Sequence, residues 1–291
     1  MAGAFQQWLT WSFSPSVSAI FVTLFISLII PILIHTYLYR KAVAQELPTV
    51  LLVGPSGAGK TSLLTLFANG APSATHTSQE PQTAVCQLPA STKAREDRYR
   101  CENDTTSRAR PKFLLLDTPG HGKLRDHGFL PLRGERALKG LVFMVDSAAV
   151  SSVTGLIEAA EYLHDVLLLL QKRHTQGKTS KTTSVPVLVA ANKQDVFTSL
   201  PANLVQSKLE QEIAKVRQTR SKGLLDSGIG MDDGAGGDEE ASWLGEYGAK
   251  DFKFAQMEEH GVDIKVLGGN VKDGEQAGKV DEWWDWIGDN L

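Results

Sequence analysis

Gly54-Pro55-Ser56-Gly57-Ala58-Gly59-Lys60-Thr61 is the stretch that most narrows the folds open to this chain. It fits G-x-x-x-x-G-K-[ST], follows the apolar run Val50 to Val53 and opens a helix-like run, Ser62 to Ala68. Strand, glycine-rich loop and helix in that order make a phosphate cradle. The glycines let backbone N–H groups turn inward on a polyphosphate, and the helix points its positive end at the same anion. Gly54 through Ser62 is therefore the expected phosphate-binding segment, with Lys60 on the β- and γ-phosphates and the Thr61 hydroxyl on Mg²⁺.

Three later stretches say which nucleotide and how its last phosphate is sensed. Between Ala71 and Thr83 the composition turns to Ser, Thr, Pro and Gln, the signature of a loop, and Thr77 and Ser78 are the hydroxyls that could reach Mg²⁺. Asp117-Thr118-Pro119-Gly120 follows the apolar run Phe113 to Leu116. Asp117 is placed to hold Mg²⁺ through water, and the Gly120 N–H to bond a γ-phosphate. His121 comes next and is the candidate to orient or accept from an attacking water. After the apolar run Val185 to Ala190 comes Asn192-Lys193-Gln194-Asp195. The Asp195 carboxylate accepts from guanine N1–H and the 2-amino group, a pair adenine lacks; Asn192 faces the O6/N7 side and the Lys193 stem covers the ring. An unmet buried partner costs ~1–3 kcal/mol, so GTP or GDP is favoured over adenine nucleotides. Gly268-Gly269-Asn270 sits where a further guanine-contacting loop is expected, using backbone N–H groups, with Gly269 among the expected nucleotide-binding residues.

The apolar runs separated by helical patterns predict an α/β fold: a mostly parallel six-stranded sheet with helices on both faces. Ser152 to Lys172 and Pro201 to Arg220 read as amphipathic helices, Val280 to Leu291 as a closing helix, and Phe252–Met257 with Val262–Leu267 as the last strands. His164 and His174, with no carboxylate or cysteine cluster beside them, read as surface or rim residues. Pro89 to Pro111 is charged and poor in aliphatics, a solvated extension, and 223–241 a flexible acidic, glycine-rich insert.

Charge is unevenly spread: residues 1–39 hold no Lys, Arg, Asp or Glu, so the net −3 belongs to the rest of the chain. A near-neutral balance leaves no footprint for direct nucleic-acid binding. Cys86 and Cys101 are too few for a disulfide framework. Val17 to Tyr39 is 39 − 17 + 1 = 23 uncharged residues rich in Ile, Leu, Phe and Val. At ~1.5 Å per residue it is roughly 34 Å long, enough to cross a bilayer as a helix. A cleaved leader would carry a positive start, a shorter apolar core and a small-residue cleavage site. Arg40 and Lys41 follow the span and no cation precedes it, so the expected orientation is a luminal tail (1–16), a transmembrane helix (17–39), a tether (40–48) and a cytosolic domain (49–291).

With phosphate loop, switch hydroxyl, D-T-P-G and N-K-Q-D in that order, residues 48–291 resemble the Ras-like P-loop GTPases, the Arf/Sar branch above all. The amino-terminal span joined to Ser78-Gln79-Glu80-Pro81 and Asp117 to Arg125 resembles the beta-subunit family of the signal recognition particle receptor. That resemblance implies a single-pass protein of the endoplasmic reticulum membrane that binds GTP/GDP with Mg²⁺. It further implies that the GTP-loaded switch regions bind the amino-terminal domain of the receptor's alpha subunit, with the ribosome or translocon as further neighbours. A vesicle-coat GTPase that cycles on and off membranes is the runner-up, and an integral anchor is at odds with it.

Overall fold

The computed structural model describes Gly3 and residues 17–43, 47–89, 91–92, 111–133, 138–176, 184–226, 243–245, 249–274 and 276–291. The rest of the amino-terminal tail, most of the 89–111 loop and residues 227–241 of the expected insert lie outside them. The chain divides into two compact units, Met1–Glu46 and Leu47–Leu291.

In the first unit helix α1 (Val17–Val43) runs for 27 residues and continues through Pro31. Most of its described apolar side chains, among them Phe21, Leu24, Phe25, Leu28 and Leu33, are exposed. Counted over described residues alone, no helix is long and apolar enough to cross a membrane. The helical backbone nevertheless runs unbroken across the whole uncharged stretch read from the sequence.

The second unit is built on β1 (Thr49–Val53), whose alternate residues feed two different cores. Leu51 and Val53 join one hydrophobic cluster, Val50 and Leu52 the other, as period-two geometry requires of a strand covered on both faces. After β1 come α2 (Lys60–Asn69), β2 (Gln82–Gln87), β3 (Lys112–Asp117), α3 (Asp126–Arg133) and β4 (Leu138–Asp146). Then follow α4 (Val153–Gln176), β5 (Val187–Asn192), α5 (Ala202–Asp226), β6 (Ile264–Gly268), a small ribbon of β7 (Lys272–Asp273) and β8 (Gln276–Ala277), and α6 (Asp281–Asn290). The six-stranded sheet has the order β2-β3-β1-β4-β5-β6. Only β2 runs antiparallel to its neighbour; every other pairing is parallel. Leu63 and Phe67 of α2 pack with Trp283, Trp286 and Ile287 of α6 on one face. Leu132 of α3, Leu163 and Leu167 of α4, and Val205, Leu209 and Ile213 of α5 cover the other. The expected α/β sheet is thus present, and β1, flanked by β3 and β4, delivers the phosphate loop to the carboxyl end of the strands, where such folds bind ligands.

Two local expectations fail. Phe252–Met257 does not form a strand: Phe254–His260 is a 3₁₀ turn that buries Phe254 and Met257 together. Their i, i+3 spacing puts both on one side of such a turn, while the alternation of Phe252 and Phe254 mimics a strand. His164 is no rim residue either; it is 2% exposed, between Asp165 and the Arg220 guanidinium. Its place on the inward face of α4 decides this, not its polarity. His174 is half-buried, as expected of a rim.

Candidate nucleotide site

The loop after β1 is shaped by its glycines. Gly59 has φ +99°, and a Cβ there would lie 2.4 Å from Asn192 Nδ2, so only glycine fits. Helix α2 opens at once, the Leu63 N–H closing on the Gly59 carbonyl at 2.9 Å. Lys60 curls back over the loop and donates to the carbonyls of Gly54 (2.8 Å) and Pro55 (2.9 Å). It is 6% exposed. Burial pulls its pKa down to about 8, against the opposing pull of the Asp117 and Glu158 charges. A buried ammonium whose hydrogen-bond acceptors are neutral carbonyls is a site built for an anion. Ser56 and Gly57 stand exposed at the loop's tip, whereas Gly54, Pro55 and Ala58 are buried beneath it. Ser62 Oγ lies 3.1 Å from Thr75 Oγ1 and ties α2 to the loop that follows.

Beside Lys60, three oxygen-bearing side chains from distant positions converge. Thr61 Oγ1 donates to Asp117 Oδ2 at 2.6 Å, and Ser78 Oγ lies 2.7 Å from Thr61 Oγ1 and 3.4 Å from the same carboxylate oxygen. Of the two switch hydroxyls Ser78 is the one brought to this corner; Thr77 is exposed. Asp117 is 1% exposed. Burial raises its pKa, although hydrogen bonds from Thr61 and Ser78 and the charge of Lys60 pull the other way. Its second oxygen, Oδ1, is buried with no hydrogen-bond partner. An all-oxygen set with one orphaned carboxylate oxygen suits a hard cation that keeps several waters, which is how Mg²⁺ binds beside phosphates. Among the described residues no cluster of three or more His, Cys, Asp or Glu side chains could hold a metal instead.

The segment after Asp117 is pressed onto the phosphate loop. Thr118 Oγ1 donates to the Leu52 carbonyl at 2.7 Å. A Cβ at Gly120 would meet Lys60 Nζ at 2.5 Å and the Gly54 carbonyl oxygen at 2.6 Å, so its backbone lies directly beside the lysine. His121 is exposed, and its Nδ1 accepts the Lys123 N–H at 3.3 Å, capping the 3₁₀ turn Gly122–Leu124. That leaves Nε2 as its outward atom. Arg125 then docks on α4, 3.4 Å from Glu158 Oε1 and with its guanidinium 4.7 Å from the centre of the Tyr162 ring.

The N-K-Q-D loop leaves the end of β5. Asn192 is 3% exposed, and its amide joins two loops: Nδ2 donates to the Ala58 carbonyl at 2.8 Å, while Oδ1 accepts the Val271 N–H at 3.0 Å. Expected on the edge of a base, it is first a brace between the phosphate loop and the chain after β6. The Gly269 N–H donates to the Ala191 carbonyl at 3.0 Å, because the turn continues the pairing of β6 with β5. Lys193 takes φ +62°, and Asp195 is exposed at the open end. Sequence reasoning missed Asp146, whose Oδ2 accepts from Lys193 Nζ at 2.6 Å. Strand register carries it there: Asp146 on β4 pairs with Asn192 on β5. Its only sequence signal is a carboxylate at the end of a buried strand.

The sequence profile of the family described as "Signal recognition particle receptor beta subunit" matches residues 45–262. This chain belongs to that family. The yeast Saccharomyces cerevisiae "Signal recognition particle receptor subunit beta" is 30% identical over 249 residues, covering 84% of each chain. The mouse protein of the same description is 27% identical over 245 residues, 84% of this chain and 76% of its own. Among solved structures, a chain of the "Signal recognition particle receptor SRb-GTP/SRX complex" from Chaetomium thermophilum superposes with a TM-score of 0.67 at 36% identity, over 84% of this chain and 100% of that one. The "SRb-GDP-Mg" structure from the same organism gives a TM-score of 0.59 at 39% identity, over 84% and 98%. Relatives with the same fold are thus described in complex with GTP and with GDP and Mg.

Proposed function

We propose that this family member is a membrane-anchored, GTP-binding tether: α1 spans the endoplasmic reticulum membrane with the tail luminal, and the cytosolic domain, when GTP-loaded, holds the receptor's alpha subunit for cotranslational targeting. The observation that carries it is the meeting of Thr61, Ser78 and Asp117 beside buried Lys60. Ser78 belongs to the first switch loop and Asp117 opens the second, so both loops share the corner where Mg²⁺ and a terminal phosphate would sit. In this reading the Lys60 ammonium exchanges its loop carbonyls for the β- and γ-phosphates. Thr61 and Ser78 would hold Mg²⁺, with Asp117 behind them, and the Gly120 N–H would serve the γ-phosphate. Mg²⁺ supplies charge neutralisation of the phosphates.

At the base end Asp195 accepts from guanine N1–H and the 2-amino group over the Lys193 stem. The relatives titled with GTP and SRX, and with GDP and Mg, support this set of ligands and a nucleotide-dependent partner. The exposed Phe21, Leu24, Phe25 and Leu28 on the uncharged stretch of α1, residues 17–39, support the anchor, and Arg40 and Lys41 after it its orientation. Contacts with ribosome or translocon would follow from that location. A hydrolytic role for His121 has to run through Nε2, since Nδ1 serves the cap.

Capture by the detergent-solubilised full chain tests the reading. Loaded with GTP it is expected to retain an alpha-subunit amino-terminal domain that the GDP form releases. Equal retention in both states, or in neither, overturns it.

A further inference from the structure

Lys193 poses a mechanical problem that the N-K-x-D pattern leaves unsolved. Its backbone is clamped: the Ser147 N–H bonds the Asn192 carbonyl at 3.0 Å, the Gln194 N–H the Gly269 carbonyl at 3.2 Å, and the Val196 N–H the Lys193 carbonyl at 3.2 Å. Held at φ +62°, a region non-glycine residues seldom occupy, the residue launches its side chain from a rigid point. The side chain itself is a flexible four-carbon stem, 40% exposed. A stem that is to lie flat as one wall of a base slot has to be stopped from sweeping through solvent.

Asp146 supplies the stop. Its Oδ2 takes the Lys193 ammonium at 2.6 Å. Its Oδ1 accepts the N–H groups of Ala148 (2.9 Å) and Ala149 (3.1 Å), so the carboxylate cannot rotate away without losing the turn it caps. With only 18% of its side chain exposed, it is a fixed anchor for a mobile cation. The residues are 47 apart in sequence and are brought together by the β4–β5 register.

We propose that Asp146 is a positioning residue for guanine-nucleotide binding, holding the Lys193 stem against the base plane while Asp195 alone reads the base edge. This rests on the proposed seat of the base over Lys193. A ring face carries no 2-amino group, so Asp146 contributes to affinity for any purine of matching shape and not to the choice among them.

The test is a set of dissociation constants for GDP and inosine diphosphate, which lacks the 2-amino group, on the full chain with Mg²⁺. Asp146→Asn keeps the Oδ1 cap acceptor and removes the charge. It is expected to weaken GDP and inosine diphosphate alike by about fivefold, the scale of a partly exposed ion pair, and to leave their ratio unchanged. Lys193→Met retains an apolar stem without the ammonium and is expected to give the same loss, which keeps the idea testable if Asp146→Asn folds poorly. On a Lys193→Met background Asp146→Asn should add nothing. Full affinity in both single variants overturns the proposal, as does an undiminished effect of Asp146→Asn in the double variant, which would assign Asp146 to the 148–149 turn alone. Failure of the base seat reads differently: Asp195→Asn would then leave the GDP-to-inosine-diphosphate ratio of the wild type unaltered.

Discussion

The two ends of the nucleotide groove are built on opposite plans. At the phosphate end the charged groups are buried and already linked, Thr61 bonding Asp117 across 56 positions and Ser78 lying beside Thr61 across 17. At the base end Asp195, the proposed reading carboxylate, is exposed, and the order lies in the backbone beneath it and in the contacts of Asn192 and Asp146. The difference follows from what each end recognises. A polyphosphate with Mg²⁺ is met by charge in a low-dielectric pocket, where each unpaired group costs stability until the ligand arrives. A base edge is met by a few directional hydrogen bonds, for which a stiff scaffold matters more than burial.

Lys60 should show this contrast most strongly. In the folded chain its pKa is about 8 against an ordinary 10.5. Below the folded value both states are protonated and the folded one bears the full penalty of the buried charge, ~3 kcal/mol. Between those two values the unfolded chain binds the extra proton, so the nucleotide-free domain should gain stability as pH rises through that window. Denaturant melts across the window check the sign. Lys60→Met should abolish the rise, stabilise the nucleotide-free domain at neutral pH, and cost ~2–5 kcal/mol of GDP affinity by calorimetry. No other substitution in the groove should move stability and binding so far in opposite directions.

Asp195→Asn should do the reverse, leaving stability within ~0.5 kcal/mol because the side chain is exposed. It should weaken guanine binding by ~1–3 kcal/mol relative to other purines, read as the GDP-to-inosine-diphosphate ratio. Asn192→Ala tests whether the ends are separable at all. Its amide spans from Ala58 to Val271, and its removal should cost ~1 kcal/mol of stability per lost bond while loosening both ends together. A loss of phosphate affinity with base selectivity intact would confine the brace to one end. His121→Ala is expected to have the smallest effect, under ~0.5 kcal/mol on folding. Single-turnover hydrolysis with GTP decides whether its free Nε2 matters: a rate equal to wild type removes His121 from the chemistry.

Much of this site is legible in the chain because phosphate loops and strand-end carboxylates are local devices. A glycine at positive φ, a lysine at the first turn of a helix and an aspartate closing a buried strand each announce themselves within a few residues. Three other features are set at long range. The backbone fate of Gly269 depends on β6 pairing with β5. The brace at Asn192 depends on the approach of Ala58 from the other end of the domain. The 3₁₀ turn at Phe254–His260 wins over the strand expected there because both of its large apolar residues reach the same core. His164 is buried for the same kind of reason, on a helix face whose inward side is set by the sheet.

Order of motifs, strand–loop–helix context and the uncharged stretch from Val17 to Tyr39 were determined by the amino-acid sequence alone, since each depends on neighbours or on a short periodicity. Tertiary structure decided that Ser78 and not Thr77 meets Thr61 and Asp117, and that Asp146 faces Lys193. Those choices turn on which side of a loop faces inward and on the register of two parallel strands, geometry that exists only once residues far apart in the chain are packed side by side.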